Sequence, residues 1–351
     1  MLDNLHIDLS PVFGFNLPFI FVVSEREAGK STATWLWRYF NWKKDGSTTL
    51  VIRRKQVHIT SVYIEDIARV INKFIDEPIQ FSYSKASLKD GVVDVFIGDL
   101  LFMRVIGLSV DITVVKSGML PNLTAIVFDE FICNRQFGEK YLKNEATKFL
   151  EVYNTFRRES KNLKCLFLGN PYSLYNPYFV YFNIPTSKLV RGSLFTDKQQ
   201  YVVWCYEIKP ELKKKILEDN PLYKFDNAYT RYAFNGENVL DENIMISPSL
   251  PPNFSLFTVF GIENKYIGLF RNNDYSNLDY MFMAKFLNKS EISKRRDIYV
   301  FEMDDLVDRT TLMCREDLYK FARIKTATRT RAIVFESIEC YYLFEEIFKN
   351  L

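Results

Sequence analysis

Two groups of residues carry chemistry by type and spacing. Gly29, Lys30 and Ser31 stand where an apolar run over 19–23 breaks off, and Asp129 and Glu130 stand where a second run over 123–128 ends. A helix starting at Gly29 turns free backbone N–H groups and its positive dipole end toward an anion. Gly29 lets the backbone approach phosphate oxygens, Lys30 supplies a point charge to the outer phosphates, and the Ser31 hydroxyl would sit on Mg²⁺. The loop as a whole comprises Ser24, Glu25, Arg26, Glu27, Ala28, Gly29, Lys30, Ser31 and Thr32. It fits the pattern G-x-x-x-x-G-K-[ST] except at Ser24, which stands where the first glycine belongs. Serine can turn a strand end but tolerates positive φ less well. Alone, the triplet also reads as a chance Gly-Lys-Ser at a helix start.

The acidic pair narrows that choice. A buried parallel strand delivers Asp129 and Glu130 at its carboxyl end, where ligands bind in open α/β sheets. Asp129 would hold magnesium, directly or through water, and Glu130 would polarise an attacking water as general base. In isolation such a pair is also a strand ending in two solvated acids. Beside a phosphate loop, the adjacent acids point to an ATPase rather than a GTPase, and no N-K-x-D-type guanine signal accompanies them.

The elements that must position these groups alternate. The strand at 19–23 feeds a helix from about Lys30, and a strand over 49–52 ends in Arg53, Arg54 and Lys55. An amphipathic pattern covers 62–75, and hairpin-like strands with Asp-Gly and Gly-Asp turns fill 89–106. The strand at 123–128, a helix over 139–157 and a strand over 164–168 follow. This βα alternation predicts a mostly parallel sheet in a three-layer domain over 1–204. Proline- and asparagine-punctuated sequence over 205–252 reads as a linker or connecting subdomain. A strand-rich segment closing in a helix over 332–349 predicts a smaller α+β domain at 253–351.

Composition sets the frame. The chain has 351 residues, 48% hydrophobic, with 31 Phe and 21 Tyr. A net charge of +3 announces no global field for a polyanion, so any nucleic-acid surface is local. Five cysteines at 133, 165, 205, 314 and 340 include no C-x-x-C and read as reduced, packed thiols. Two histidines, His6 and His58, make a zinc site improbable. The sequence shows neither a signal-peptide pattern nor an apolar run of membrane length, which predicts a cytosolic protein with no membrane partner.

Further candidates surround the phosphate loop. Asn170 follows the strand after Asp129-Glu130, where a polar side chain can sense a γ-phosphate; Gly169-Asn170-Pro171 is equally a plain turn. Arg157 and Arg158 end the preceding helix, from which an arginine finger could reach a neighbouring subunit's nucleotide. A basic end complementing the helix dipole is the simpler reading. Arg26, inside the loop, is a rival finger acting in cis.

Gly29-Lys30-Ser31, the stretch 126–132 around Asp129-Glu130, Arg53-Arg54, Phe156-Arg157 and especially Asn176-Pro177-Tyr178-Phe179 with Phe182-Asn183 resemble the genome-packaging ATPases of small short-tailed double-stranded DNA bacteriophages. The likeness is dense over 19–185 and thin beyond. It implies an ASCE (RecA-like) P-loop ATPase domain related to large terminases, and a C-terminal domain resembling a vestigial ribonuclease-H-like nuclease without its acidic cluster. It further implies ATP and Mg²⁺ as cofactors, double-stranded DNA as substrate, a pentameric homo-oligomeric ring on the procapsid portal, and on some portals a structural packaging RNA. The expected location is the host cytoplasm and, transiently, the portal, outside the mature virion.

DNA in such a ring calls for basic residues. Arg53, Arg54 and Lys55 form one candidate set, and Lys320, Arg323, Lys325, Arg329 and Arg331 another; phosphate-directed binding by either would be sequence-independent and salt-sensitive. Each run also reads as a solvated face. The alternative function is a metal-dependent nuclease regulated by the ATPase domain, needing three or four acids converging on two metals about 4 Å apart. Residues 254–351 offer Glu263, Asp274, Asp279, Asp304 and Asp305, and Glu263 is the only acid on the first apolar strand of that domain.

Overall fold

The computed structural model describes residues 5–116, 120–135, 138–237, 244–262, 265–274, 281–292, 298–301, 306–307, 310–313, 321–330 and 332–349. The chain forms two compact units, Met1–Leu240 and Asp241–Leu351.

The first unit is built on nine strands: β1 (Phe19–Val23), β2 (Thr48–Arg53), β3 (Phe81–Ser82), β4 (Val92–Ile97), β5 (Leu100–Gly107), β6 (Leu123–Asp129), β7 (Lys164–Gly169), β8 (Leu194–Thr196) and β9 (Tyr201–Cys205). Their order is β3-β4-β5-β2-β6-β7-β1-β9-β8. From β5 to β9 all pairings are parallel, and β3, β4 and β8 add antiparallel rims. Every residue of β1 is buried, as befits a strand covered on both faces. The helix Lys30–Asp45 connects β1 to β2 and ends at Gly46, whose left-handed backbone closes an N–H bond to the Trp42 carbonyl.

The unusual aromatic content has a structural use. Phe21, Phe128, Phe131, Phe149, Phe167, Tyr178 and Phe179 interlock in stacked and edge-on contacts around the central strands. Asn176 caps the short helix Pro177–Tyr181 by accepting from the Tyr178 and Phe179 amides at 3.1 and 3.0 Å. The Asn-Pro-Tyr-Phe block is therefore a device that drives two aromatic rings into this cluster.

Two expectations change, and one hairpin was not foreseen. The helix expected from 139 begins at Glu145, after Asn144 in the left-handed region (φ 53°). The β8–β9 hairpin had no counterpart in the sequence reading; β8 has only three residues. The segment 205–252, read as a linker or connecting subdomain, belongs to the first unit as far as Leu240. Tyr206, Ile208, Leu212, Ile216 and Tyr223 are buried in its core. In the helix Pro210–Asp219, Leu212 and Ile216 face inward, and the surrounding lysines and glutamates that suggested a linker are its outer face.

The second unit holds β10 (Phe254–Ile262), β11 (Lys265–Asn272), β12 (Phe282–Leu287), β13 (Ile298–Val300), β14 (Thr310–Leu312) and β15 (Ile333–Phe335), ordered β14-β13-β10-β11-β12-β15. The β10-β11-β12 meander is antiparallel, while β13 pairs parallel with β10, β14 with β13 and β15 with β12. Phe260, Phe335, Phe344 and Ile347 knit the closing helix Ile338–Lys349 onto the sheet.

Candidate nucleotide site

Strands β6, β7 and β1 lie side by side, with Val23 opposite Gly169 and Leu168 opposite Asp129. Their carboxyl ends therefore bring Ser24, Asn170 and the Asp129–Glu130 pair to one edge. The Ser24 amide donates to the Gly169 carbonyl (3.2 Å), which starts the loop flush against β7. Gly169 cannot carry a side chain, since a Cβ would stand 2.8 Å from the Phe131 ring.

The departure at Ser24 resolves here. The left-handed residues of the loop are Glu27 (φ 62°) and Gly29 (φ 87°), and Ser24 is not among the positive-φ residues. Ser24 is buried, and its hydroxyl donates to the Glu25 carbonyl at 3.1 Å. A glycine is needed at Gly29, the N-cap of the Lys30–Asp45 helix, where His6 also packs 3.0 Å from the site a Cβ would take.

Lys30 reaches back over the loop. Its Nζ donates to Asn170 Oδ1 at 2.7 Å and to the Ser24 and Glu25 carbonyls at 3.3 Å each. Burial pulls the ammonium down to about 8, against the opposing pull of Asp129 and Glu25. Asn170 in turn donates to the Tyr172 hydroxyl (3.2 Å), which also accepts from Arg26 Nη2 (3.1 Å). Lys30, Asn170, Tyr172 and Arg26 are thus one connected network at the mouth of the loop.

The acidic pair is held by a residue that the sequence reading gave another role. Ile52 lies opposite Phe128, so the next residue of β2, Arg53, stands beside Asp129. Its guanidinium forks between Asp129 (2.8 Å) and Glu130 (2.7 Å) and rests over the Tyr63 ring at 4.6 Å. Tyr63 donates its hydroxyl to Asp129 at 3.3 Å. Burial raises the Asp129 carboxyl above its usual range despite Arg53. Glu130, half exposed and left-handed at φ 60°, is pushed up by burial but brought below its usual range by Arg53.

Arg53 and Arg54 therefore do not form an open phosphate-binding surface. Arg54 is buried, paired with Glu145 at 2.9 Å and donating to the Glu130 and Phe131 carbonyls at 3.0 and 2.6 Å. Lys55 is half-buried at the start of the 56–58 turn. The signal for the Arg53 role was its register: an arginine at the carboxyl end of a strand neighbouring the acidic one. Nothing local in the sequence marked Tyr63 or Tyr172.

Arg157 and Arg158 close the helix Glu145–Arg157 at the opposite edge of the sheet from the loop, with Arg157 half-buried and Arg158 exposed. Arg323 is exposed on the helix Ala322–Arg329. Lys320 and Arg331, with the side chains of Lys325 and Arg329, lie outside the described residues, as do Glu263, Asp279, Asp304 and Asp305. Among the described residues no helix is long and apolar enough to cross a membrane. Cys133, Cys165, Cys205 and Cys340 are free thiols, and burial raises the pKa of each.

The DNA packaging proteins of Bacillus phages PZA and phi29 are each 30% identical to the chain over 182 residues, half of this chain and half of theirs. The match thus spans about half the length of these curated relatives. A chain of the bacteriophage phi29 viral genome packaging motor assembly superposes with a TM-score of 0.66 at 19% identity, covering 99% of both chains. A chain of the phi28 gp11 DNA packaging motor gives 0.58 at 15% identity, covering 95% of both. At these identities the likeness is one of fold, and it runs through both compact units. Residues 4–351 match the podovirus DNA encapsidation protein (Gp16) family, and the chain belongs to that family.

Proposed function

We propose that this chain is the ATP-hydrolysing subunit of a motor that drives double-stranded DNA into a viral procapsid, acting as a homo-oligomeric, pentameric ring on the portal. The observation that carries this reading is the convergence at one sheet edge of Lys30, Asn170 and the Asp129–Glu130 pair. Family membership, with relatives named as DNA packaging proteins, supports DNA as the cargo.

The loop amides and Lys30 would hold the phosphates of ATP, with Lys30 leaving the Ser24 and Glu25 carbonyls it now occupies. Ser31 and Asp129 would hold Mg²⁺. Both offer hard oxygen donors, and the buried Asp129 carboxylate favours a cation beside it. Bound magnesium supplies charge neutralisation along the phosphates. Glu130 takes the proton of the attacking water, its carboxylate kept ionised by Arg53. Asn170, tied to Lys30 and Tyr172, is placed to register whether the outer phosphate is present.

In the second unit, a three-stranded antiparallel meander flanked by two parallel strands on the β10 side supports the reading as a ribonuclease-H-like domain that has lost its nuclease site. A structural RNA at the portal is a further partner in this reading, with Arg323 and its basic neighbours as the contact.

Replacing Glu130 with Gln tests the core of the proposal. The variant should bind an ATP analogue as tightly as wild type while turnover falls by about 10²-fold or more. Hydrolysis at the wild-type rate would remove Glu130 as the base.

A further inference from the structure

We propose that Arg191 is a positioning residue for the phosphate loop, acting through Glu25 without touching nucleotide. The inference rests on the nucleotide-site reading above. Glu25 is the second residue of the loop, yet its side chain is only 1% exposed. One of its oxygens, Oε1, pairs with Arg191. The other, Oε2, is buried with no hydrogen-bond partner. A carboxylate is costly to bury unless paired, and Arg191 is the cation that pairs it.

Arg191 is itself anchored. It also meets Glu207 at 3.1 Å, just beyond β9, and it sits between the turn Thr186–Lys188 and β8. Gly236, left-handed at φ 72°, presses its backbone onto the pair from another side: a Cβ there would stand 2.6 Å from Glu25 Oε1 and 3.1 Å from Arg191 Nε. Glu25 is therefore clamped by groups from two distant stretches of the chain, which also line a cavity with Ser24 and Tyr206.

The clamp acts on the atoms that matter for phosphate. The Glu25 carbonyl accepts from both Lys30 Nζ (3.3 Å) and Ser24 Oγ (3.1 Å). When Lys30 swings to a phosphate, the Ser24 and Glu25 carbonyls lose its ammonium, and the Glu25 carbonyl keeps the Ser24 hydroxyl. The amides on either side stay tied, Ser24 to the Gly169 carbonyl and Arg26 to the Ala233 carbonyl at 2.8 Å, and something must also hold the buried Glu25 side chain between them. Arg191 does this from 166 positions along the chain. It gives a loop that begins with serine and glutamate a fixed backbone path ready for an anion.

The test measures binding of a non-hydrolysable ATP analogue, steady-state hydrolysis and thermal midpoint on the full chain. R191A should weaken binding by about tenfold or more, and R191K should recover part of the loss. In kinetics, kcat/KM should fall more than kcat at saturating ATP. E25A/R191A should bind no worse than R191A, because the buried charge leaves with its partner, yet below wild type, because residue 25 is still unclamped. Binding by R191A equal to wild type would overturn the inference. So would a loss that follows the thermal midpoint and that R191K does not repair. Should R191A fail to fold, the double variant carries the comparison: weakened binding supports the clamp, and wild-type binding overturns it. Wild-type protein that binds no ATP analogue would overturn the nucleotide-site reading and the clamp together; wild-type binding with an unaffected R191A overturns the clamp alone.

Discussion

Lys30 is the residue on which loop, strand and chemistry meet, and its proton makes it measurable. Burial lowers the free ammonium to about 8. An ATP phosphate placed beside it favours the charged form, so the bound pKa must be higher than the free one. The sign follows: below pH 8 the ammonium is already present and affinity is flat with respect to this group. Above pH 8 binding must first protonate it, and affinity falls by up to about tenfold per pH unit. Titration calorimetry near pH 8.5, in buffers of differing ionisation enthalpy, should therefore show net proton uptake on ATP binding. Equal apparent enthalpies in all buffers would rule this out. At this scale the sequence marked which residues meet, since Gly29, Lys30, Asp129 and Glu130 stand out by type and the strands bring them to one edge. Arg53 did not, since only strand register decides that it faces two acids rather than DNA.

The elements are joined by ties that no local pattern reveals. Arg54 at the end of β2 reaches Glu145, the first residue of the helix Glu145–Arg157, and Glu145 also accepts from the Tyr178 hydroxyl at 3.0 Å and the Leu142 amide at 2.8 Å. One buried ion pair thus connects a strand, a helix and the Asn176-capped turn. Removing one partner of such a pair leaves the other charge stranded, so R54M should destabilise the first unit by about 3 kcal/mol or more in urea unfolding. R54M combined with E145L should lose less than R54M alone, and a double variant worse than R54M would contradict the tie. The same reasoning explains what was legible in the fold. The buried strands β1, β6 and β7 are unbroken apolar runs and stood out. The three-residue β8 and the start of the helix at Glu145 depend on tertiary partners, and the segment from 205 looked like a linker because its buried tyrosines are spaced among prolines and charges. Helical spacing of Leu212 and Ile216 was the signal that it packs.

For the whole molecule, the position of Arg157 distinguishes a finger acting within a subunit from one acting between subunits. The helix Glu145–Arg157 has 13 residues and so is about 20 Å long. It starts beside Arg54 at the nucleotide edge and ends at the opposite one, where the Ser160 hydroxyl donates to the Leu123 carbonyl at 2.5 Å at the start of β6. Arg157 therefore lies a helix length from its own loop, and as a finger it must serve a neighbouring copy. Arg26 is the opposite case: it sits in the loop, bonded to Tyr172 and 5.9 Å from the Tyr229 ring. An arginine finger contributes about 10³-fold or more to turnover, so in the proposed ring the two arrangements separate by variant. Hydrolysis should be followed at constant total protein, with portal and DNA, as R157A or R26A replaces wild type. If Arg157 completes the neighbour's site in a ring that fires in sequence, activity should fall well below the wild-type fraction, since one defective copy stalls its neighbour's step. R26A acting in cis disables a site in its own copy. If Arg26 is the finger, purified R157A should keep turnover near wild type while R26A loses about 10³-fold, and if Arg157 is the finger the two outcomes exchange. Turnover near wild type by both purified variants would place the finger elsewhere.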